Sequence, residues 1–492
     1  MTGQISKTKN STALTIITLL IAVQCYAQAQ TKVQAIDSLM STVTQNGQFN
    51  GAVLVAEHGS VIYKKGFGYA NMELKVPNQP DTKFRLGSIT KQFTATLILK
   101  LAEQGKLKLD GKVSDYLPQY SKTNGSRITI HELLTHSSGI PNYTDFPNFF
   151  RERARDPVLP DEFTKVFADS ALRFEPGTKF SYSNSGYFLL GVIIEKVTGK
   201  PYDQVLRENI FAPLGMKNSG YDHSRDLLAN RAAGYEKDVS QYVNADYVDM
   251  SIPYSAGALY STVEDLYLWD QALYTDTPLS EASKQIMFAP QIPAMGRSYG
   301  YGWFVGKSAE GKSSDSITTI SHGGRINGFN SLIFRIPQDK HLVVLLHNGG
   351  VAPLEVICQA ITGILYGKPY TLPKKSVAEA VLAATLERGS VSGLQLFRDL
   401  TGKQADSYSV REDEMNAAGY RLLQMGKTKE AIVIFKLNVG AFPESSNVYD
   451  SLGEAYMANG DRDLAITNYE MSVKLNPNNV NGIDRLKRLR NQ

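Results

Sequence analysis

The chain has 492 residues, a formal net charge of +4 at pH 7, 42% hydrophobic and 20% charged residues, which is ordinary globular composition at a length that suits two domains. So small a charge excess makes no polyanion-binding surface and excludes nucleic acid as a partner class. Two cysteines, Cys25 and Cys358, are too few for a disulfide-built scaffold.

Lys7 and Lys9, an apolar run from Leu14 to Val23 and then Ala27-Gln28-Ala29 have the layout of a secretory signal peptide over residues 1–29, with cleavage after Ala29. The expected location is therefore periplasmic or secreted. Cys25 follows Gln24, where a lipid-attachment site takes a small residue, so lipidation is not expected. The apolar run is too short to cross a bilayer, and no other stretch is long enough, which predicts no membrane span. Cleavage lowers the charge to +2 and leaves Cys358 as the sole cysteine, so no intramolecular disulfide is possible and the core must hold the fold.

A helix is predicted from about Thr31 to Gln45. Gly51 to Glu57 and Val61 to Tyr69 read as strands joined by the tight turn His58-Gly59-Ser60. From Phe84 to about Ala272 the signals are mainly helical, including Gln204 to Phe211 and Thr262 to Leu273. Strand signals return at Gly300 to Val305, Ile317 to Ser321, Asn330 to Ile336 and His341 to His347, and a helix from Pro353 to Tyr366 follows. A hairpin at one end and a meander at the other imply one antiparallel sheet built from both ends of the region, with a helical lobe inserted between them. The fold class is α/β in the broad, α+β sense.

The first chemical signal is Ser88-Ile89-Thr90-Lys91, which opens a run with Ala95, Leu97, Ile98, Leu101 and Ala102 on a buried face and Gly105 at its end. Residues three apart share a helix face, so the Lys91 amine reaches the Ser88 hydroxyl without help from a distant element. Ser88 is the candidate nucleophile. Ser6-x-x-Lys9 has the same spacing, so the motif needs further support.

That support comes from Tyr182-Ser183-Asn184, just before the apolar run Phe188 to Val197. A lysine ammonium beside the Tyr182 phenol favours its anionic form, which predicts a tyrosinate base for the serine proton. Asn184 offers a donor and an acceptor to a carbonyl substrate. Tyr69-Ala70-Asn71 and Tyr242-Val243-Asn244 share the spacing but lack a following apolar helix. Further on, the strand Ile317 to Ser321 runs into His322-Gly323-Gly324-Arg325, where paired glycines let a substrate approach the backbone closely and the exposed amides polarise its carbonyl. Taken alone, the stretch reads as a glycine turn before the Asn330 strand.

Together these three elements resemble the penicillin-recognising serine hydrolases: class C β-lactamases, DD-peptidases and β-lactamase-like esterases. Tyr182-Ser183-Asn184 is similar to the family's Tyr-x-Asn motif, and His322-Gly323-Gly324 stands where the family commonly has Lys-Thr-Gly. The stretches His131 to Ile140 and Ser255 to Thr262 also resemble family features. The likeness covers about residues 33 to 366. It implies a β-lactamase-like sheet flanked by helices plus a helical lobe, within a hydrolase domain over 30–370. It also implies that Ser88 is the nucleophile, Lys91 and Tyr182 the proton-transfer pair and Asn184 a substrate-orienting residue, with the Ser88 and Arg325 amides as oxyanion hole. No cofactor or metal is implied. Replacing a permanent cation by His322 forfeits most of an attraction of at most about 4 kcal/mol for a substrate carboxylate. An ester or a D-amino-acid peptide is therefore favoured over strong β-lactam turnover, with Arg325 as the compensating cation.

Residues 371–412 read as a helical linker. Beyond them Gly419, Gly426, Ala431, Phe435 and Pro443 recur as Gly453, Gly460, Ala465, Tyr469 and Pro477, each offset by 34 residues. That period resembles the tetratricopeptide repeat, predicting an all-α domain over 413–492 with a protein partner. Two other chemistries fit worse. His131 and His136 flank Glu132 at a spacing of five, which turns the rings apart on a helix, and no Gly-x-Ser-x-Gly nucleophile elbow occurs. The competing class is a catalytically silent module that binds peptides in the old pocket while the repeats recruit an envelope partner.

Overall fold

A computed structural model describes residues 31–121, 123–239, 241–308 and 316–491. The expected leader 1–29, with Lys7, Lys9 and Cys25, lies outside the described residues. Two compact units form, one of residues up to Glu236 plus Val243–Leu372, the other of Lys237–Tyr242 plus Pro373–Gln492. No helix among the described residues is long and apolar enough to cross a membrane.

The first unit is built on an eight-stranded antiparallel sheet. Its spatial order is Ile292–Ala294, Arg297–Tyr299, Phe304–Ser308, Ile317–Ile326, Phe329–Ile336, His341–His347, Gly51–Glu57 and Ser60–Phe67. The early hairpin thus joins the late meander through the pairing of Gly51–Glu57 with His341–His347. Both of these central strands are apolar on alternate and opposite faces, as the two-residue period requires. Ala52, Leu54, Leu342, Val344 and Leu346 enter the larger core beneath the helical lobe. Val53, Val55, Val343 and Leu345 enter a second core, which the helices 31–45 and Leu354–Leu365 cover with Ile36, Met40, Ile357 and Ile361.

Three sequence expectations change. The strand expected over Gly300 to Val305 is two strands, Arg297–Tyr299 and Phe304–Ser308, separated by a turn. An additional hairpin strand, Ile292–Ala294, extends the sheet edge. The strand expected to stop at Ser321 runs on to Ile326 and pairs His322 with Ile333 and Arg325 with Asn330.

The second unit is helical. Glu412–Gln424, Thr428–Ala441, Ser446–Asn459 and Arg462–Leu475 are two helix pairs at the 34-residue offset, followed by Val480–Arg490. Gly419 lies against Phe435, where a Cβ would stand 2.5 Å from ring carbons, and Gly453 lies against Tyr469 at 3.2 Å. The repeated glycine therefore makes room for the repeated aromatic of the next helix. Residues read as a linker form the helices Val377–Arg388 and Ser390–Gly402, and Val377, Val381 and Leu400 share one core with Met415, Leu422 and Phe435.

Candidate active site

Ser88 sits in the 3-10 turn Gly87–Ile89 that feeds the helix Thr90–Glu103. Almost every residue of this helix is buried, because it runs through the larger core, to which it contributes Phe93, Leu97 and Ile98. The turn is pressed against the sheet. Gly87 has φ +53°, and a Cβ there would stand 2.7 Å from the Arg325 amide nitrogen. At Gly324 a Cβ would stand 1.8 Å from the Leu86 carbonyl oxygen. Glycine at both positions lets the serine turn and the strand edge meet backbone to backbone, which brings the Arg325 amide beside the Ser88 turn. Ser331 locks the contact by donating its hydroxyl proton to the Leu86 carbonyl at 2.7 Å. Gly323 is exposed and has space around its Cα.

Lys91 is completely buried. Its Nζ lies 3.0 Å from Ser88 Oγ, 2.8 Å from Asn184 Oδ1 and 2.8 Å from the Ala256 carbonyl oxygen. Burial pushes its pKa well below the ordinary lysine value. The three partners suit both protonation states. An ammonium donates to all three, whereas a neutral amine donates to the two carbonyl oxygens and turns its lone pair to the Ser88 hydroxyl. A proton can therefore move between Ser88 and Lys91 with no rearrangement of either side chain.

Tyr182 is held within hydrogen-bonding reach of Ser88, and Lys91 Nζ is 4.8 Å from its ring centroid. The expectation of a tyrosinate base is corrected here. Burial raises the phenol pKa, and the Ser88 hydrogen bond offsets only part of that rise. Desolvation acts on both groups in the direction of neutrality, leaving a phenol that can donate a proton and an amine that can accept one. Asn184 is the first residue of the helix Asn184–Thr198, and its amide donates to Asn142 Oδ1 at 3.1 Å.

Ser88 and Asn184 line a cavity of about 580 Å³ together with Tyr143, Phe149, Phe150, Val248, Ile252, Glu236 and Arg325. Arg325 is exposed. His322 differs from the sequence expectation of a substrate-facing side chain, because it is only 2% exposed. Its Nδ1 donates to the Gly323 carbonyl at 2.6 Å, and Nε2 accepts from the Tyr299 hydroxyl at 3.0 Å. Burial, with the nearby Lys91 charge, lowers its pKa to about 3. The ring is therefore a neutral part of the packing behind Tyr182. Ser88, Lys91, Tyr182, Asn184 and Arg325 are brought together, and His322 stands behind them.

Two further site components come from the stretches Ser255 to Thr262 and His131 to Ile140. The first is the Ala256 carbonyl, a backbone atom. The second is His136, weighed individually from sequence as a metal ligand, whose ring centroid lies 4.2 Å from that of Tyr182. His131 Nδ1 bonds the Tyr301 hydroxyl at 2.7 Å.

Among the described residues one group, Glu57, His58 and His341, places ligand atoms within 4.8 Å of one another. Its donors are engaged. Glu57 pairs with Lys32 at 2.5 Å, and His341 Nδ1 accepts the His58 backbone N–H at 3.3 Å.

Comparison with known proteins agrees with this geometry. The family model described as Beta-lactamase matches residues 36–357. Penicillin-binding protein 4* of Bacillus subtilis is 33% identical over 405 residues, which span 78% of this chain and 87% of that protein. Among solved structures, the octameric penicillin-binding protein homologue from Pyrococcus abyssi aligns with a TM-score of 0.61 and 30% identity over 72% of this chain and 81% of its own. A D-stereospecific amidohydrolase from Streptomyces aligns with a TM-score of 0.57 and 26% identity over 67% of this chain and 98% of its own. The chain belongs to the beta-lactamase family, within the superfamily of serine hydrolases that also holds the penicillin-binding proteins.

Proposed function

We propose that this protein is an exported hydrolase that cleaves an ester or amide through a covalent acyl-Ser88 intermediate. The observation that carries the reading is the buried Lys91 amine, 3.0 Å from Ser88 Oγ, with its other two partners fixed. Lys91 takes the Ser88 proton as Oγ bonds to the substrate carbonyl carbon. The oxyanion forms against the Ser88 and Arg325 amides, donors worth roughly 3 to 4 kcal/mol each in acyl transfer. As the carbon–leaving-group bond breaks, the leaving group takes a proton from the Tyr182 phenol, and Lys91 restores that proton. Water then attacks the acyl-enzyme by the reverse relay, releasing the acid and free Ser88. Asn184 orients the substrate.

The exposed Arg325 guanidinium supplies the cation that buried, neutral His322 does not. A wide cavity with Phe149, Phe150, Val248 and Ile252 favours an ester, or an amide such as a D-amino-acid peptide or D-amino-acid amide, over rapid β-lactam turnover. The helix pairs, read as tetratricopeptide repeats, serve as a scaffold for a protein partner.

The test is mass spectrometry after reaction with fluorescent penicillin and a p-nitrophenyl acyl ester. The adduct is expected on the peptide carrying Ser88, and Ser88→Ala is expected to abolish both label and turnover. Label on another serine, with turnover surviving in Ser88→Ala, refutes the assignment.

A further inference from the structure

Tyr182 lies in a loop, yet its phenol must meet Ser88 within a few tenths of an ångström for proton transfer. The residues on either side of it are both tied to one residue. The Ser181 amide donates to the His136 carbonyl at 2.8 Å, and the Ser183 amide donates to His136 Nδ1 at 3.1 Å. The imidazole itself packs at 4.2 Å against the Tyr182 ring, tilted by 35°. Tyr187 and Tyr299, each 4.9 Å away, close the other sides.

We propose that His136 is a positioning residue for the reaction, a clamp that sets the height and tilt of the Tyr182 phenol over Ser88. It rests on the reading that Tyr182 transfers a proton.

Three features mark His136 as more than filler. Its backbone is held at φ +56°, a conformation uncommon for residues other than glycine, which turns the chain so that carbonyl and ring face the same loop. Its tautomer is fixed, because Nδ1 accepts the Ser183 amide and the single ring proton must sit on Nε2. That Nε2 is buried with no hydrogen-bond partner among the described residues, a cost an apolar ring would avoid. What the imidazole offers and a phenyl does not is the Nδ1 acceptor. The clamp itself stands on rigid ground, since the preceding turn is tied to the core by the Tyr187 hydroxyl bonding the Leu134 carbonyl at 2.8 Å.

The test compares His136→Asn with His136→Phe in the full chain on a p-nitrophenyl acyl ester. Asparagine tolerates this backbone and keeps an acceptor near the Nδ1 position, so its kcat is expected within about threefold of the parent. Phenylalanine keeps the ring and loses the acceptor. Its kcat is expected to fall about 10²-fold with KM changed less than about threefold, the cost of misplacing a reacting group. Strain from phenylalanine at positive φ is separated by a double-mutant cycle. If His136 acts through the phenol, adding His136→Phe to Tyr182→Phe lowers kcat by no more than about threefold. Where His136→Phe does not fold, His136→Gln, whose amide oxygen lies one bond too far out for the Ser183 amide, replaces it in the same cycle. The proposal is overturned if the acceptor-free variant keeps the parent kcat, if His136→Asn falls as far, or if the loss persists undiminished in Tyr182→Phe. A Tyr182→Phe enzyme as active as the parent instead overturns the underlying role of Tyr182.

Discussion

The two compact units both rely on glycine for close approach, but the partners lie at very different distances along the chain. In the helical unit Gly419 meets Phe435 and Gly453 meets Tyr469, each pair one helix apart and each repeated. In the hydrolase unit Gly324 meets the Leu86 carbonyl and Gly87 meets the Arg325 amide, joining segments from opposite ends of the region. A repeat can state its packing locally. A catalytic site assembled from a turn, a loop and a strand edge cannot, and its tolerance for error is correspondingly smaller.

Gly324→Ala is expected to have the largest effect on catalysis. Its Cβ would stand 1.8 Å from the Leu86 carbonyl oxygen, a backbone atom that moves only if the serine turn moves. Turnover is expected to fall by at least about 10²-fold, since a shift near 1 Å costs that much. Steady-state kinetics on a small ester reads the effect, and near-parent kcat would show that the turn and the strand are not rigidly coupled.

The next test concerns charge. In the hydrolase unit Arg335 and Asp270 form an ion pair at 2.5 Å with side-chain exposures of 1% and 0%, and the guanidinium also lies over Tyr274. The helical unit's Arg490–Glu470 pair is about half exposed on both sides. Asp270→Asn leaves a buried cation without its counter-charge, an expected loss of about 3 to 5 kcal/mol, whereas Glu470→Gln costs less than about 1 kcal/mol. Urea unfolding of the two variants measures the contrast, and equal losses would contradict it.

The sequence made some of this plain and hid the rest for identifiable reasons. The strands Gly51–Glu57 and His341–His347 match the expected bounds, because a strand buried on both faces is an uninterrupted apolar run. The Ser88 and Lys91 pairing was equally legible, since three residues on a helix determine it. The hairpin Ile292–Ala294 with Arg297–Tyr299 was not. It carries Pro293 inside a strand, and Met295 takes positive φ in its turn, both poor strand signals. The continuation of the strand through Gly323-Gly324 was hidden because glycine is scarce in strands, but Gly324 is there so that Leu86 can come close. The direction in which burial moves the Tyr182 and Lys91 pKa values was also hidden. It depends on buried rings such as Tyr187 and Tyr299, which the local motif does not contain.

Burial also separates the units in their response to acid. The His322 ring takes a proton near its ordinary pKa of 6.5 when unfolded and only near about 3 when folded. The unfolded chain therefore binds the extra proton between those values, and stability falls as pH drops from about 6.5 toward 3. Above 6.5 both states are neutral and the effect is absent. His322→Gln is expected to flatten the part of the acid limb due to this group in pH-dependent urea titrations. A limb of unchanged slope would assign the sensitivity to other groups.

The smallest effect on catalysis is expected from damage to the helical unit, and Gly453→Ala is the variant that measures it. A Cβ there would stand 3.2 Å from Tyr469 ring atoms, tight enough to push the ring but not to collide with backbone. Overpacking of this kind costs about 1 to 3 kcal/mol, and within a stack of helix pairs the loss acts on the interface between neighbours. The core affected contains Val377, Leu400, Met415, Phe435 and Tyr469, and none of these residues lines the Ser88 cavity. A truncation near Lys403 would be a poor substitute, because it leaves Val377, Val381 and Leu400 without Met415 and Leu422 to cover them. In the full chain, Gly453→Ala is therefore expected to lower the unfolding midpoint of the helical unit while small-ester kcat stays within about twofold, as for sites that share no partner. A parallel fall in kcat would make the helix pairs part of the catalytic machinery and end their reading as a separate scaffold.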